Sequence, residues 1–278
     1  MNAVEQSYDY CRRVARTRAK NFYYSFLLLS EQQRKAMCAI YAFMRYCDDL
    51  SDEPGATRAA IERWRGELED ALEGRFSDHP VWPAFHHTVR RFGIPHDYFR
   101  SMIDGVVSDL EPRRFETFDQ LRGYCYQVAS VVGLTTIHIF GFDTPSALPL
   151  AEKCGVAFQL TNVLRDIRED AERGRIYLPA EDLRRFGVTE ADLLAGKRDT
   201  ALLGLLRYEA ARARAHYEES RPLLDLIHPR SRRSLWALIT IYSRLLERIE
   251  SSGYDVFSHR VRLSVLEKSW IVARALVM

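Results

Sequence analysis

Apolar residues recur at intervals of three and four residues along almost the whole chain. This spacing is typical of α-helices that bury one face, and stretches of alternating apolar and polar residues long enough for strands are absent. Hydrophobic residues fill 47% of the 278 positions, which is enough for a sizeable core. Because no linker and no repeat of fixed period divides residues 1–278, the sequence predicts an all-α fold in a single domain.

Turn and capping residues set the limits of the predicted helices. Ser30, Thr57 and Thr117 each precede a helix as N-cap residues, and Ser30 and Thr117 have a glutamine three residues later that can complete a capping box. The predicted helices cover about 31–51, 57–74, segments that start near Trp82 and Pro95, 117–141, 146–172, short segments after Pro179 and Thr189, 198–220, 229–252 and 258–277.

Charge, cysteine content and hydropathy exclude several classes of protein. Forty Lys and Arg against 38 Asp and Glu leave a net charge of +2, without the basic excess of most nucleic-acid-binding proteins. The five cysteines are scattered without a CxxC pair, so neither a disulfide framework nor a zinc site is indicated. Residues 1–20 lack the apolar core of a signal peptide, and the most apolar stretch, 128–142, falls short of the roughly 20 residues that span a bilayer. We therefore expect a cytoplasmic protein without a transmembrane helix.

An acidic cluster ends the helix predicted over 31–51. Asp48 and Asp52 are four residues apart and so project from one face about a turn apart, with Arg45 three residues before Asp48. The helix macrodipole opposes carboxylates at a C-terminal end, so a cation is expected nearby. Taken alone, this cluster also fits an ordinary solvated helix end.

A second acidic cluster lies inside an apolar run. One helical stripe carries Gln159, Asn162, Asp166 and Asp170, whereas the other faces carry Val156, Leu160, Val163, Leu164 and Ile167. This is the pattern of a buried helix with an inward polar strip, and buried carboxylates must pair with cations or bind metal. Two DxxxD pairs on separate helices supply hard oxygen ligands, which Mg²⁺ binds together with the phosphate oxygens of a substrate. Binding of transition-metal ions is disfavoured.

Cationic and aromatic residues accompany both clusters. Arg173 and Arg175 follow the second cluster in a turn, where they can fold back as diphosphate donors or form an ordinary charged loop. Aromatic residues near the motifs can line an apolar channel and stabilise a cation through their ring faces, or pack in the core. These are Phe22, Tyr23, Tyr24, Tyr41, Phe43, Tyr124 and Tyr126.

Four segments together resemble the squalene and phytoene synthase family: 41–45 (Tyr-Ala-Phe-Met-Arg), 48–52 (Asp-Asp-Leu-Ser-Asp), 124–133 and 159–179. The resemblance extends over about residues 15–275 and is to the bacterial soluble members more than to the membrane-anchored eukaryotic squalene synthases. Members of this family have the all-α isoprenoid synthase (trans-prenyltransferase) fold with a central cavity. They join two allylic prenyl diphosphates head to head. The resemblance therefore implies this fold and this class of reaction.

The resemblance also implies roles for individual residues and for Mg²⁺, with about two or three ions between carboxylates and diphosphate. The implied metal ligands are Asp48, Asp52, Asn162, Asp166 and Asp170, with Asp49 beside them and Gln159 in the polar prefix of the second motif. Diphosphate is expected at Lys20, Arg45, Arg165, Arg175 and Tyr177. Tyr41, Tyr124 and Phe22 match aromatic residues of the substrate cavity, and Tyr41 and Tyr124 are expected to take part in catalysis.

The resemblance implies that two farnesyl diphosphates combine to presqualene diphosphate or squalene, with phytoene formation from geranylgeranyl diphosphate as the alternative. Peripheral contact with a membrane during product release is a further expectation. The sequence does not support NADPH use, because no GxGxxG follows a predicted strand. The DDxxD reading of 48–52 also fits a chain-elongating prenyl synthase or terpene cyclase, and a non-catalytic helical assembly factor of the same fold is a third hypothesis. The second motif favours the head-to-head reaction, and all motif aspartates are present.

Overall fold

The computed structural model describes residues 2–19, 22–52, 56–196 and 198–277, with the side chain of Asp52 excepted. The described helices are α1 (Ala3–Arg18), α2 (Phe22–Phe26), α3 (Glu31–Asp52), α4 (Arg58–Leu72), α5 (Trp82–Phe92), α6 (His96–Ser108), α7 (Phe118–Cys125), α8 (Val131–Phe140), α9 (Ala147–Glu172), α10 (Ala180–Phe186), α11 (Glu190–Ala195), α12 (Thr200–Ser220), α13 (Leu223–Leu226), α14 (Pro229–Ser251) and α15 (Val265–Leu276). Within these residues there is no strand, only one antiparallel bridge between Phe142 and Ile227. The predicted all-α fold is confirmed.

Most predicted helix starts agree with the capping geometry. Thr57 and Thr117 cap α4 and α7 by accepting hydrogen bonds from backbone N–H groups. Ser30 accepts a bond from the Gln33 N–H at 3.4 Å, but the Gln33 side chain does not complete a capping box. Its Oε1 accepts from the Ser30 hydroxyl at 2.9 Å, and its amide nitrogen donates to the Ile139 carbonyl at 3.0 Å. A residue that the local pattern assigns to a cap therefore also holds α3 against α8.

The two ends of the chain differ from the sequence prediction. Helices α1 and α2 were not predicted, although α1 buries Tyr8, Cys11 and Ala15 at helical spacing beneath a polar outer face. The start of the predicted helix over 258–277 is wrong, because residues 258–264 are not helical. Helix α15 begins at Val265, after a capping box in which Ser264 is the N-cap.

The helix predicted over 117–141 contains a π-helical turn at Tyr126–Ser130, between α7 and α8. Two glycines on neighbouring helices make room for it. A Cβ on Gly155 would lie 2.5 Å from the Ser130 Cα, and a Cβ on Gly105 would lie 2.7 Å from a methyl group of Val128. Such turns insert a residue into a helix and are frequent at functional sites. Here the turn is pressed between α6 and α9.

Two apolar cores hold the helices together. One is built mainly from α1, α3–α6 and α8, and the other mainly from α7, α9–α12, α14 and α15. Phe22 and Phe158 pack against both cores. All five cysteines are buried and free, as expected from their scattered positions. No helix within the described residues has the length and hydropathy needed to cross a membrane.

Candidate active site

A cavity of about 690 Å³ is lined by residues of both cores. Along α3 the lining changes from apolar at Met37, Ile40 and Met44 to charged at Asp48 and Asp49. Helix α9 shows the same change, from Ala151 and Cys154 to a run of polar residues beyond Phe158. The charged part includes six arginines and six carboxylates among the described lining residues: Arg18, Arg45, Arg165, Arg173, Arg175, Arg260, Asp48, Asp49, Asp109, Asp166, Glu169 and Asp170.

The cavity brings the predicted site residues together from distant parts of the chain. Those whose side chains are described all line it: Phe22, Tyr41, Arg45, Asp48, Asp49, Tyr124, Gln159, Asn162, Arg165, Asp166, Asp170, Arg175 and Tyr177. Lys20 and the side chain of Asp52 lie outside the described residues, although Asp52 is the last residue of α3. Both acidic clusters therefore line one cavity, and their roles stay predictions.

The first cluster is compensated by arginines, as the macrodipole argument predicts. Arg45 forms an ion pair with Asp49, one turn further along α3, and Arg18 lies 3.7 Å from the same carboxylate. The Arg45 Nε is buried and has no hydrogen-bond partner in the part of the chain that the structure describes. A buried guanidinium donor without a partner is costly, so Arg45 is suited to an anionic ligand.

The second cluster carries its own compensating charges. Arg165 Nε lies 2.8 Å from Asp166, and Arg260 Nε lies 2.9 Å from the same carboxylate. Arg260 also pairs with Glu169 at 3.2 Å. Burial, together with the negative charges of Asp166 and Glu169, raises the pKa of Asp170 to about 7. Binding of a proton or a cation at Asp170 is therefore favoured, because it offsets the negative charges of the cluster.

The oxygen donors of the cavity fit a hard divalent cation. The Asn162 Oδ1 is buried without a hydrogen-bond partner among the described residues, and Asp48, Asp166 and Asp170 face the same cavity. Within those residues, no three His, Cys, Asp or Glu side chains are gathered around one point as ligands of a single ion. Carboxylate and amide oxygens are the ligand types that Mg²⁺ prefers, usually with water or phosphate completing its shell.

A third polar group in the cavity wall is centred on Asp109, which follows α6. The Tyr124 hydroxyl donates to its Oδ2 at 2.9 Å, and the Tyr177 hydroxyl donates to its Oδ1 at 3.2 Å. Arg175 donates to the Asp109 backbone carbonyl at 2.8 Å. Burial raises the pKa of the Asp109 carboxyl above its ordinary value. The loop of Arg175 and Tyr177 does fold back to the cavity, in agreement with one of the two alternatives left open by the sequence.

Aromatic rings line the apolar part of the cavity. Phe22 lies with its ring centroid 6.5 Å from that of Tyr41 and 5.6 Å from that of Tyr242. Tyr242 stacks on Phe158 at 4.3 Å. Burial raises the pKa of Tyr41 to about 12, so its phenol stays protonated at neutral pH. Such rings can exclude water and stabilise a carbocation through their faces.

Sequence reasoning missed several charged residues of the cavity, notably Arg18, Asp109 and Arg260. A signal existed for Asp109, because Met102, Val106 and Asp109 share one helical stripe and all line the cavity. Arg260 offered no local signal. It lies in the non-helical segment before α15 and contacts Asp166 across 94 positions of sequence.

Comparison with known proteins places the chain among isoprenoid enzymes. The family model for squalene/phytoene synthase matches residues 8–267. A 15-cis-phytoene synthase of Synechocystis is 37% identical and aligns over 99% of this chain and 87% of its own length. The phytoene synthase 1 of Arabidopsis thaliana is 36% identical over 96% of this chain, which spans 65% of the length of that relative.

Solved structures agree with these sequence relatives. A dehydrosqualene synthase in complex with a ligand superposes with a TM-score of 0.92, at 32% identity, covering 99% of this chain and 96% of its own. A squalene synthase from Alicyclobacillus acidocaldarius superposes with a TM-score of 0.84, at 30% identity, covering 91% of this chain and 99% of its own.

Proposed function

Because the chain belongs to the squalene/phytoene synthase family, we propose that it joins two allylic prenyl diphosphates head to head in this cavity. The main support is that one cavity combines two carboxylate clusters and six arginines with an apolar, aromatic lining. The charged part suits diphosphate groups and their divalent cations, and the apolar part suits two prenyl tails. The family and the cavity lining together favour this reaction over a non-catalytic role.

The charged residues would prepare the diphosphate to leave. Arg45, Arg165 and Arg175 would bind its oxygens, with Lys20 and Tyr177 as further predicted contacts. The residues that would hold Mg²⁺ are Asp48, Asp52, Asn162, Asp166 and Asp170. When bound, Mg²⁺ neutralises diphosphate charge and makes it a better leaving group.

The aromatic residues would protect what remains after the diphosphate leaves. Loss of diphosphate generates an allylic carbocation, and the double bond of the second substrate attacks it. Proton loss then closes a cyclopropane ring. Water would trap the cation as an alcohol, so the rings of Phe22, Tyr41 and Phe158 would both exclude water and stabilise positive charge.

Two substrates compete for this assignment. The names of the Synechocystis and Arabidopsis relatives favour phytoene formation from geranylgeranyl diphosphate, which we propose first. The names of the structural neighbours favour the C15 substrate, farnesyl diphosphate, which is also the substrate expected from the sequence. We keep it as the second candidate. The test is to incubate purified protein with each diphosphate and Mg²⁺, with and without NADPH, and identify products by mass spectrometry. Failure to consume either diphosphate would contradict the proposal.

Phe26 is expected to limit the length of the prenyl chain. Its side chain is 1% exposed, lines the cavity and contacts Phe22, with ring centroids 6.5 Å apart. Phe26→Ala vacates a phenyl ring, so we expect the ratio of kcat/KM for the C20 over the C15 diphosphate to rise by about tenfold. The measurement is direct competition between the two diphosphates.

A matched core variant controls for destabilisation. Phe99 is also fully buried but does not line the cavity, and Phe99→Ala should cost a similar amount, about 3 to 5 kcal/mol, without changing the ratio. Both variants must first give a native helical circular dichroism spectrum. If the ratio of kcat/KM for the C20 over the C15 diphosphate were the same in wild type and in folded Phe26→Ala, Phe26 would have only a packing role in the core.

We further propose that the protein works in the cytoplasm at a membrane surface, where substrate tails and an apolar product are soluble. Helix α15 supports this, because Val265, Leu266 and Trp270 are 63%, 82% and 53% exposed on one side. The guanidinium groups of Arg244 and Arg274 lie 6.0 and 5.5 Å from the centre of the Trp270 ring. An exposed apolar helix face with tryptophan and arginines matches an anionic bilayer surface.

Vesicle binding tests this surface. We expect co-sedimentation with phosphatidylglycerol-containing vesicles, and Leu266→Ser with Trp270→Ser should weaken it by about tenfold or more, because two buried apolar side chains are lost. Leu194→Ser, which removes another exposed leucine, is the control. Equal vesicle binding by wild type, the α15 double variant and Leu194→Ser would contradict the assignment. It would also be contradicted if wild type were a dimer and the α15 double variant a monomer, because the exposed face would then be a subunit interface.

A further inference from the structure

The turn after α9 carries Arg175, which is proposed to bind diphosphate. The Arg175 N–H donates to the Asp170 carbonyl at 2.9 Å, and the Gly174 N–H donates to the carbonyl three residues before it, also at 2.9 Å. These two bonds form a Schellman motif, in which Gly174 has the left-handed φ of +75° that the motif requires. The motif therefore fixes the backbone between Asp170, a proposed metal ligand, and Arg175.

The segment after this turn is attached to the loop between α6 and α7. The Ile176 N–H donates to the Arg113 carbonyl at 3.0 Å. The Arg175 guanidinium reaches the same loop and donates to the backbone carbonyl of Asp109 at 2.8 Å. The position of Arg175 in the cavity therefore depends on how the turn is held against this loop.

Arg114 joins the turn and the loop from outside the cavity. Its Nη1 donates to the carbonyls of Gly174 and Arg113, both at 2.7 Å. Its Nε and Nη2 donate to the two carboxylate oxygens of Glu190, the first residue of α11, at 2.5 and 2.7 Å. Neither Arg114 nor Glu190 is among the described residues that line the cavity, and their side chains are 44% and 46% exposed. One guanidinium thus ties together the turn, the loop and the start of α11.

This clamp, formed by Arg114 and Glu190, is suited to a local role. An exposed ion pair adds little to the stability of a whole protein, because water screens its charges and two long side chains lose freedom. The planar fork of Arg114, however, holds the Gly174 carbonyl, one residue before Arg175. A lysine carries the same charge but cannot make this set of bonds at once.

We propose that Arg114, fixed by Glu190, is a positioning residue that orients Arg175 toward the diphosphate of the substrate. It acts through the Gly174 carbonyl and does not touch the substrate. A displacement of about 1 Å in an active site can lower a rate by about 100-fold, so a residue outside the cavity can have a large effect. This inference rests on the proposed function, because it requires diphosphate at Arg175.

Arg114→Lys tests the clamp while keeping the charge. We expect binding of inorganic diphosphate with Mg²⁺, measured by isothermal titration calorimetry, to weaken by about tenfold, and kcat/KM for the prenyl diphosphate to fall by a similar factor. Hydrogen–deuterium exchange over residues 173–179 should become faster, because the backbone bonds of the turn open more often. The melting temperature in EDTA should stay close to that of wild type, because the pair is exposed.

Arg100→Lys is the matched control for this variant. Arg100 makes the same fork to Glu69, at 2.8 and 2.7 Å, and the two side chains are 41% and 45% exposed. Neither is among the described residues that line the cavity. Diphosphate affinity and exchange over 173–179 should both equal those of wild type.

Two further variants separate positioning from simple attraction of charge. Glu190→Gln removes a negative charge, so electrostatics alone would strengthen diphosphate binding, whereas a loosened clamp should weaken it. In an Arg175→Ala background, Arg114→Lys should have no further effect on diphosphate affinity, because the residue through which it acts is gone.

The outcomes that contradict the inference are distinct. Wild-type exchange and diphosphate affinity in folded Arg114→Lys would overturn it. An equal loss of affinity with and without the Arg175 side chain would overturn it too, and so would stronger binding by Glu190→Gln. If wild type binds no inorganic diphosphate with Mg²⁺, the proposed function fails instead, and exchange over 173–179 still shows whether the clamp holds the turn.

Discussion

Asp170→Asn is expected to abolish turnover while leaving the protein at least as stable as wild type. The variant keeps the shape of the side chain but removes a charge that Mg²⁺ binding is proposed to need. Burial and the neighbouring carboxylates of Asp166 and Glu169 disfavour that charge in the folded protein. Asp48→Asn in the first cluster should abolish turnover as well. The measurement is product formation at saturating prenyl diphosphate and Mg²⁺.

The stability effect of Asp170→Asn should depend on pH. The pKa of Asp170 is about 7 in the folded protein, above its ordinary value of 3.8. A carboxyl with a raised folded-state pKa is most stabilising when protonated, and this contribution is lost as pH rises from about 4 through 7. The asparagine variant does not ionise. In EDTA the free energy of unfolding of the variant should therefore match that of wild type near pH 4 and exceed it by about 1 kcal/mol or more at pH 8.

An exposed carboxylate supplies the control for this prediction. Asp119→Asn removes a charge that is 82% exposed on α7 and outside the cavity, so turnover and stability should both stay at wild-type values. A folded Asp170→Asn enzyme with wild-type turnover would refute the functional role of the second cluster. A large loss of thermal stability in the same variant would mean that Asp170 mainly supports the fold.

Removal of divalent cations is expected to have an equally large effect. EDTA should abolish turnover and excess Mg²⁺ should restore it, because carboxylate, amide and phosphate oxygens are hard ligands. Zinc should restore it poorly, since the described cavity residues include no grouped histidine or cysteine ligands that zinc prefers. The measurement is product formation after dialysis against EDTA and addition of each ion.

A binding assay separates metal-dependent chemistry from metal-dependent folding. Mg²⁺ with inorganic diphosphate should raise the melting temperature of wild type, because ligands that bind only the folded state stabilise it. The Asp170→Asn variant should show little of this rise, and the helical circular dichroism of both proteins should be the same in EDTA. Full turnover in EDTA would contradict the metal assignment.

The sequence predicted the fold class and most of the helices because both depend on local properties. Apolar spacing and N-cap residues such as Thr57 and Thr117 act within one or two turns, so they can be recognised without tertiary contacts. The predictions failed where long-range packing competed with the local pattern. The Gln33 side chain accepts from the Ser30 hydroxyl at its own helix start but also donates to a carbonyl of α8, and the π-helical turn at 126–130 exists where Gly105 and Gly155 allow close approach.

For the site, the sequence by itself determined the two acidic clusters, because each is a helical stripe whose members are neighbours in the chain. Only the tertiary structure decided that both line one cavity and which cations compensate them. Arg18 reaches Asp49 from another helix, and Arg260 reaches Asp166 from a segment predicted to be helical. Asp109, Tyr124 and Tyr177 likewise come from three segments. Such contacts depend on how helices pack, and helix packing is set by the sum of many weak apolar contacts that no local pattern encodes.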